Sequence, residues 1–350
     1  MSATLFSAAK HQSQQSLESG KFQNSEQPYK SGLSDLVKIS KAYFTAERQS
    51  PTPTTEPPLR TITAQELVSD RETAVIYRLG HSSMLIRLDA EYLLIDPVFS
   101  DRASPVQWMG PKRFHPVPVE LESLPNIKAV IISHDHYDHL DKASIQALAA
   151  RVEHFFTPLG VGQYLRDWGI DSSRITELDW WQQSSIGSLT FTATPAQHFS
   201  GRGLMDRDKT LWASWVIEGR QARLFFSGDS GYFGGFKEIG ERLGPFDLTM
   251  IETGAYSELW SKIHMLPEQS VQAHIDLKGK AMLPIHNSTF DLALHDWHEP
   301  LELAYEISQS RAVKLLTPIM GEPVSILNPA AQTAWWRDEL VQESAQLAME

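Results

Sequence analysis

The seven residues SHDHYDH, from Ser133 to His139, constrain this chain more than any other stretch. They close an apolar run, Ile127 to Ser133, that reads as a buried strand. The motif therefore falls at a strand end, where loops carry function. His134 and His136, two apart on extended chain, point the same way and can grip one cation. Asp138 and His139 then project from the next turn toward a second. The plainer alternative is a solvated polar loop. The chain has no cysteine, which excludes disulfides, thiolate nucleophiles and cysteine-held clusters. A bound metal must sit on His, Asp, Glu or main-chain oxygen. Imidazoles with carboxylates suit zinc, and leave manganese and iron open.

Two sites need more ligands than the motif holds. His198 ends LTFTATPAQH, Asp229 ends ARLFFSGD, and His286 ends KAMLPIH. Each follows an apolar run and precedes loop residues, the same position that the motif occupies. Asp229, with two carboxylate oxygens, could bridge both cations.

The remaining chain sets the frame. At 350 residues, one large domain or two small ones are the priors. A net charge of −12 argues against a nucleic-acid partner held by bulk positive charge. No run approaches ~18 apolar residues, and the Ser/Gln-rich start lacks a signal-peptide core. A cytoplasmic location is the expectation. Residues 1–30 read as mostly disordered or loosely draped, and 31–47 as one helix. Ser50 to Pro58 reads as a Pro/Thr linker. The division is thus an N-terminal extension, 1–58, and one globular domain, 59–350. Within the latter, strands arrive in a run (74–80, 83–89, 92–98, 127–133) and then alternate with helices. Later strands are expected at 189–195, 212–219, 222–229, 247–253, 280–286 and 313–318. That order predicts an α/β (α+β) arrangement with helices on the outer faces of sheets.

On these residues the sequence resembles the metallo-β-lactamase superfamily. The segments LGHSSMLI, DPVFSDRASP, FSGDSGY, HMLPEQSVQAHIDLKGK and PIHNSTF, with the motif, narrow the likeness. They are similar to the N-acylphosphatidylethanolamine-hydrolysing phospholipase D branch and its bacterial relatives. The likeness covers roughly residues 59–310, with KFQN (Lys21 to Asn24) beyond it. It implies a four-layer αβ/βα sandwich with two zinc ions. One would sit on His134, His136, His198 and Asp229, the other on Asp138, His139, Asp229 and His286. It also implies catalytic roles for His264, an active-site histidine outside the ligand sets, and for Asp138. His81 is open between orienting a ligand and packing. Asp135 is a candidate for orienting the imidazoles. Arg102, Lys112 and Arg202 are anion-binding candidates, with solvated surface charge the plainer account. His11, His115, His154, His274, His295 and His298 are ordinary histidines. Two departures, Glu252-Thr253 and Asn287, lie where relatives often carry Pro-Ile and Trp.

The implied activity is metal-dependent hydrolysis of a phosphodiester in a phospholipid-like substrate. Two zincs would lower the pKa of a shared water from ~15.7 toward ~7, so no serine or cysteine nucleophile is required. A lipid substrate would bring peripheral contact with the inner face of a membrane. Trp180-Trp181 and Trp335-Trp336 are candidates for it, with core packing the simpler reading of most tryptophans. A homodimer is compatible with the likeness. The rivals are a lactonase or other carbonyl hydrolase on the same site, a di-iron redox protein, and a non-catalytic metal-stabilised binding protein.

Overall fold

The computed structural model describes residues 20–26, 28, 29, 33–69, 74–203, 205–330 and 332–347. Most of residues 1–30, for which disorder or loose draping is expected, lies outside the described residues, as does His11; within it Phe22 and Asn24 are buried. Among the described residues, thirteen strands form two sheets. The first holds β1 (Val75–Gly80), β2 (Ser83–Leu88), β3 (Glu91–Ile95), β4 (Ile127–Ile131), β5 (Val152–Pro158) and β6 (Ile175–Leu178). The second holds β7 (Gln183–Ile186), β8 (Leu189–Thr194), β9 (Ser214–Glu218), β10 (Arg223–Phe226), β11 (Leu248–Glu252) and β12 (Met282–Ile285). A last strand, β13 (Pro323–Ser325), returns to the first sheet beside β1, giving the order β13-β1-β2-β3-β4-β5-β6. The second sheet runs β12-β11-β10-β9-β8-β7.

Alternation along the strands builds the layers. Ile76, Ile86, Leu93 and Ile131 face inward and share one core with Phe191, Trp215, Leu224 and Leu283 of the other sheet. Their neighbours Tyr77, Leu85, Leu94 and Val130 face the opposite way. There they meet Ile145 and Leu148 of α3 (Lys142–Leu148) and Leu165 of α4 (Gly162–Asp167). The outer face of the second sheet packs on Phe236 and Ile239 of α5 (Gly235–Arg242). Val271 and Leu277, from α6 (Pro267–Asp276) and just past its end, complete that layer. Helix, sheet, sheet, helix is the expected four-layer sandwich. The remaining helices among the described residues are α1 (Leu33–Thr45), α2 (Ala64–Val68), α7 (Glu299–Ser310) and α8 (Trp335–Leu347).

Strand direction decides where the site lies. β3, β4 and β5 are mutually parallel, as are β10, β11 and β12. Their carboxyl ends collect loops along one edge of the sandwich, the usual position for a site in such sheets. That edge is pinned across the two sheets. The Trp215 indole N–H donates to Ile132 O (3.0 Å), and Ala213 N–H donates to Ser133 O (2.9 Å). One expected strand does not form: in VKLLTP (313–318) only an isolated bridge joins Leu315 to Met282. The contact is made at Met282, the first residue of β12, whose N–H donates to Lys314 O while its carbonyl accepts from Leu316 N–H.

Candidate metal centre

The motif leaves β4 and turns at once, and a buried carboxylate fixes the turn. Asp96, one residue beyond β3, is fully buried. It accepts the Ser133 N–H (2.7 Å) and the Ser133 hydroxyl (2.5 Å). Its Oδ2 also lies 2.7 Å from His139 Nδ1. A carboxylate only accepts, so Nδ1 carries the proton and Nε2 is left as a lone-pair donor. The opposite wall approaches closely: Gly228 sits at φ +56°, and a Cβ there would lie 2.8 Å from Ser133 Cβ. This close packing brings the Asp229 loop against the motif.

Two ligand groups of four result, and Asp229 and His286 also lie within ligand distance of His264. In one, His134, His136, His198 and Asp229 converge. His134 Nε2 lies 2.9 Å from His136 Nδ1, and His198 Nε2 lies 3.3 Å from the same atom. Asp229 Oδ2 is 3.8 Å from both Nε2 atoms. In the other, His81, Asp138, His139 and His286 converge. Asp138 Oδ2 stands 3.1, 3.3 and 3.6 Å from Nε2 of His81, His286 and His139. Asp229 reaches this group as well, 3.1 Å from His139 Nε2 and 3.0 Å from His286 Nε2. It is therefore placed between the two groups.

The donor set fits a metal. Ligand atoms ~2.0–2.1 Å from one tetrahedral zinc stand about 3.4 Å apart, in the middle of the separations above. His139 Nε2, His286 Nε2 and Asp229 Oδ1 are buried without a hydrogen-bond partner. Such orphaned atoms are costly unless a cation completes them. Against burial, Asp229 and Asp138 draw His139 well above the ordinary imidazole pKa and His286 up to about 10, so a cation bound there displaces a proton from each ring. Burial drives His134 and His198 well below the ordinary imidazole pKa, which keeps them neutral. Burial alone would raise Asp229 and Asp138. The neighbouring histidines, His139 foremost, instead hold both well below the carboxylate range.

His264 joins this edge from the loop before α6. Its ring lies 5.1 Å from that of His198 and 5.4 Å from that of His286. Its Nδ1 is hydrogen-bonded to Glu252 Oε1 at the end of β11. Glu252 is fully buried, and its Oε2 accepts the Ser230 N–H (2.7 Å). With Nδ1 occupied, Nε2 is the nitrogen left to face the cleft. The cleft is a cavity of about 430 Å³. His136, Asp138, Asp229, His264 and His286 form its floor, while Phe199, Trp260, Ile263 and Leu292 make an apolar wall.

Other candidates separate clearly. His81 contacts Asp138 directly instead of only packing. Asp135 touches no imidazole through its hydrogen bonds: its carboxylate takes Gly201 N–H and the Thr210 hydroxyl, and so holds the 199–210 loop. Asp96 does the orienting instead. A carboxylate at the end of YLLID, before a proline, was the available signal: the same strand-end position as His198, Asp229 and His286. Arg202 is half-buried and does not line this cleft. It donates to Asp135 O and Leu140 O and stacks 4.0 Å over the Tyr137 ring, clamping the motif loop from behind. Arg102 donates to Gly110 O, and Lys112 is exposed; neither lines the cleft. The cation that does is Arg207. His115, His154, His274, His295 and His298 line no part of this cleft. Both sequence departures support the centre: Glu252 through His264, and Asn287 through Arg78, whose guanidinium donates to Asn287 O and Oδ1.

Comparison with known proteins follows the same line. A β-lactamase superfamily domain matches residues 91–287. An uncharacterised protein of Mycobacterium tuberculosis is 47% identical over 262 residues, 74% of this chain and 70% of that one. The N-acyl-phosphatidylethanolamine-hydrolyzing phospholipase D 1 of Caenorhabditis elegans is 34% identical over 283 residues, 76% of this chain and 79% of that one. Among solved structures, the isothiocyanate hydrolase from Delia radicum gut bacteria shares the fold. It superposes with a TM-score of 0.57 at 19% identity, over 73% of this chain and all of the other. Fold, ligand chemistry and sequence likeness converge on one assignment: the chain belongs to the metallo-β-lactamase superfamily and is a metal-dependent hydrolase.

Proposed function

We propose that this centre binds two zinc ions and hydrolyses the distal phosphodiester of N-acylphosphatidylethanolamine-like lipids. The observation that carries the reading is the apolar cleft opening directly onto the two ligand groups. It supplies a place for acyl chains beside a place for a phosphate. The 34% identity to the nematode phospholipase supports the same substrate class.

His134, His136, His198 and Asp229 would hold one ion, and Asp138, His139, Asp229 and His286 the other, with His81 in reach of the second. Bound zinc supplies an acidified water as nucleophile and offsets charge developing on the phosphoryl oxygens. The chain's own residues do the rest. Asp96 holds His139 in one tautomer, and Asp229 sets the spacing of the two groups. The apolar wall excludes water around the acyl chains. The water oxygen bonds to phosphorus, the P–O bond to N-acylethanolamine breaks, and the leaving oxygen takes up a proton. His264 faces the cleft through Nε2 and is placed to hold that proton or to contact the phosphoryl group.

Peripheral membrane contact belongs to the same proposal. Ile39 and Tyr43 of the Leu33–Thr45 helix line the cleft, while Val37 (62% exposed) and Phe44 (88%) are exposed on another face of the same helix. Exposed apolar side chains on the outer face of a helix that covers the cleft suit an interfacial helix. Trp180, Trp335 and Trp336 are core residues, and Trp181 packs under Arg242, so none of the paired tryptophans serves this role. Among the described residues no helix is long and apolar enough to cross a membrane.

The test is a substrate panel with purified protein: N-acylphosphatidylethanolamine micelles, chromogenic phosphodiesters and lactones, each with and without chelator. Chelator-sensitive phosphodiester cleavage is expected. Turnover of lactones alone would establish a carbonyl hydrolase instead.

A further inference from the structure

We propose that Asn24 is a positioning residue for His198, and that residues 22–24 are a strap completing one half of the centre. The inference rests on the reading of His198 as a metal ligand. His198 lies four residues beyond the end of β8, where no sheet ladder holds the backbone. Asn24, 7% exposed, takes the place of a neighbouring strand. Its Nδ2 donates to His198 O (2.9 Å), and its Oδ1 accepts the His198 N–H (3.0 Å). Both peptide groups of His198 are thus tied to a side chain 174 positions earlier. The same Oδ1 accepts the Trp212 indole N–H (2.9 Å), which fixes the amide's own orientation.

The strap is anchored independently of Asn24. Phe22 is buried in the inter-sheet core, and its N–H donates to Asp208 O (2.8 Å). On the ring side, His198 Nδ1 lies 3.0 Å from Ile263 O, which leaves Nε2 toward His136. Ring and backbone of this ligand are therefore held by different segments. A second cavity, about 450 Å³, opens beside the strap and is lined by Asn24, His198, Arg207 and Trp212. Buried amide groups left unpaired are costly. The His198 loop would relax, and its Nε2 would leave the position shared with His134 and His136. Partners behind a ligand are typically worth about 10–100-fold in metal affinity.

The experiment is competition for zinc between a chromophoric chelator and the full-length chain, with the melting temperature of the metal-free protein measured alongside. Wild type is expected to bind two ions. Asn24→Ala should weaken one of them by about 10–100-fold and leave the other within a few-fold. Asn24→Ser, too short to span both peptide groups, should weaken the same ion and decides the matter if Asn24→Ala does not fold. Ser25→Ala, at the exposed position just beyond the strap, should bind like wild type. Unchanged zinc affinity in the Asn24 variants, with only a lowered melting temperature, would overturn the proposal. A wild-type chain that takes up no zinc would overturn the metal reading itself, and this inference with it.

Discussion

Asp96 Oδ2 lies 2.7 Å from His139 Nδ1, and neither side chain is exposed to solvent. The contact joins the end of β3 to the end of the motif, 43 residues later. It settles which nitrogen of His139 faces the centre. Asp96→Ala should lower zinc affinity by about 10–100-fold. It should also destabilise the metal-free fold by about 1–3 kcal/mol, because the Ser133 N–H loses its acceptor. Chelator competition and denaturant unfolding would show the two effects separately. Wild-type zinc affinity in this variant would contradict the assigned role.

His264 and Asp229 should fail differently. Asp229→Ala removes the carboxylate between the two ligand groups, so metal content and turnover should fall together. His264→Ala should keep both ions yet lose about 10²–10⁴ in kcat, the span of a single acid–base group. Glu252→Gln, which keeps the shape but removes the charge beside His264, should fall between wild type and His264→Ala. Metal content measured beside kcat separates these cases. Loss of metal in His264→Ala would make it a ligand rather than a substrate-facing group.

Acid stability should depend on a histidine remote from the centre. His274 on α6 is buried, with Nδ1 2.7 Å from Thr249 Oγ1. Burial pushes its pKa down to about 4. In the unfolded chain the value returns to ~6.5. Between these limits the unfolded state binds a proton that the folded state does not. The contribution is therefore complete above ~6.5 and is lost as pH falls toward 4, by about 3 kcal/mol in all. His274→Gln should flatten the fall in stability between pH 7 and 4.5, read by urea unfolding. The centre's own titration is common to both proteins and cancels in the comparison. Parallel pH profiles would contradict the assignment.

Membrane contact can be separated from chemistry. Replacing Val37 and Phe44 together by Ser removes exposed apolar area without touching residues that line the cleft. Binding to phosphatidylcholine vesicles should weaken about tenfold or more, given ~1.5–3 kcal/mol for fully burying one large apolar side chain. Turnover of a soluble chromogenic phosphodiester should not change. Vesicle flotation reads the first and absorbance the second. Unchanged flotation would remove this helix from the interface.

The ligands were legible in the sequence because each of their segments carries its own local signal. Ile127 to Ser133 reads as a strand, and the motif follows it. His198, Asp229 and His286 repeat the pattern, and the structure brings all of them to one sheet edge. What stayed hidden depends on contacts between distant segments. Asp96 looks like any acidic residue at a turn until β3 and β4 pair in parallel and place it under Ser133. Asn24 sits in a polar stretch whose composition suggests loose chain, yet three directed hydrogen bonds hold its side chain. Arg202 reads as surface charge, whereas three aromatic rings from the motif and α4 region enclose it. VKLLTP has the apolar content of a strand, but the ladder it would extend supplies only one bridge. The strand β5 was missed for the opposite reason: it opens Val-Glu-His, polar positions at the edge of a segment whose Phe155 and Phe156 are buried.

The central claim is that two metal ions on these seven side chains hydrolyse a lipid phosphodiester. The most direct measurement titrates zinc into chelator-stripped protein while following release of N-acylethanolamine from N-acylphosphatidylethanolamine. The account predicts no release without metal and a rise that levels off at two equivalents of zinc per chain. Full release from metal-free protein, or none at saturating zinc, would contradict it.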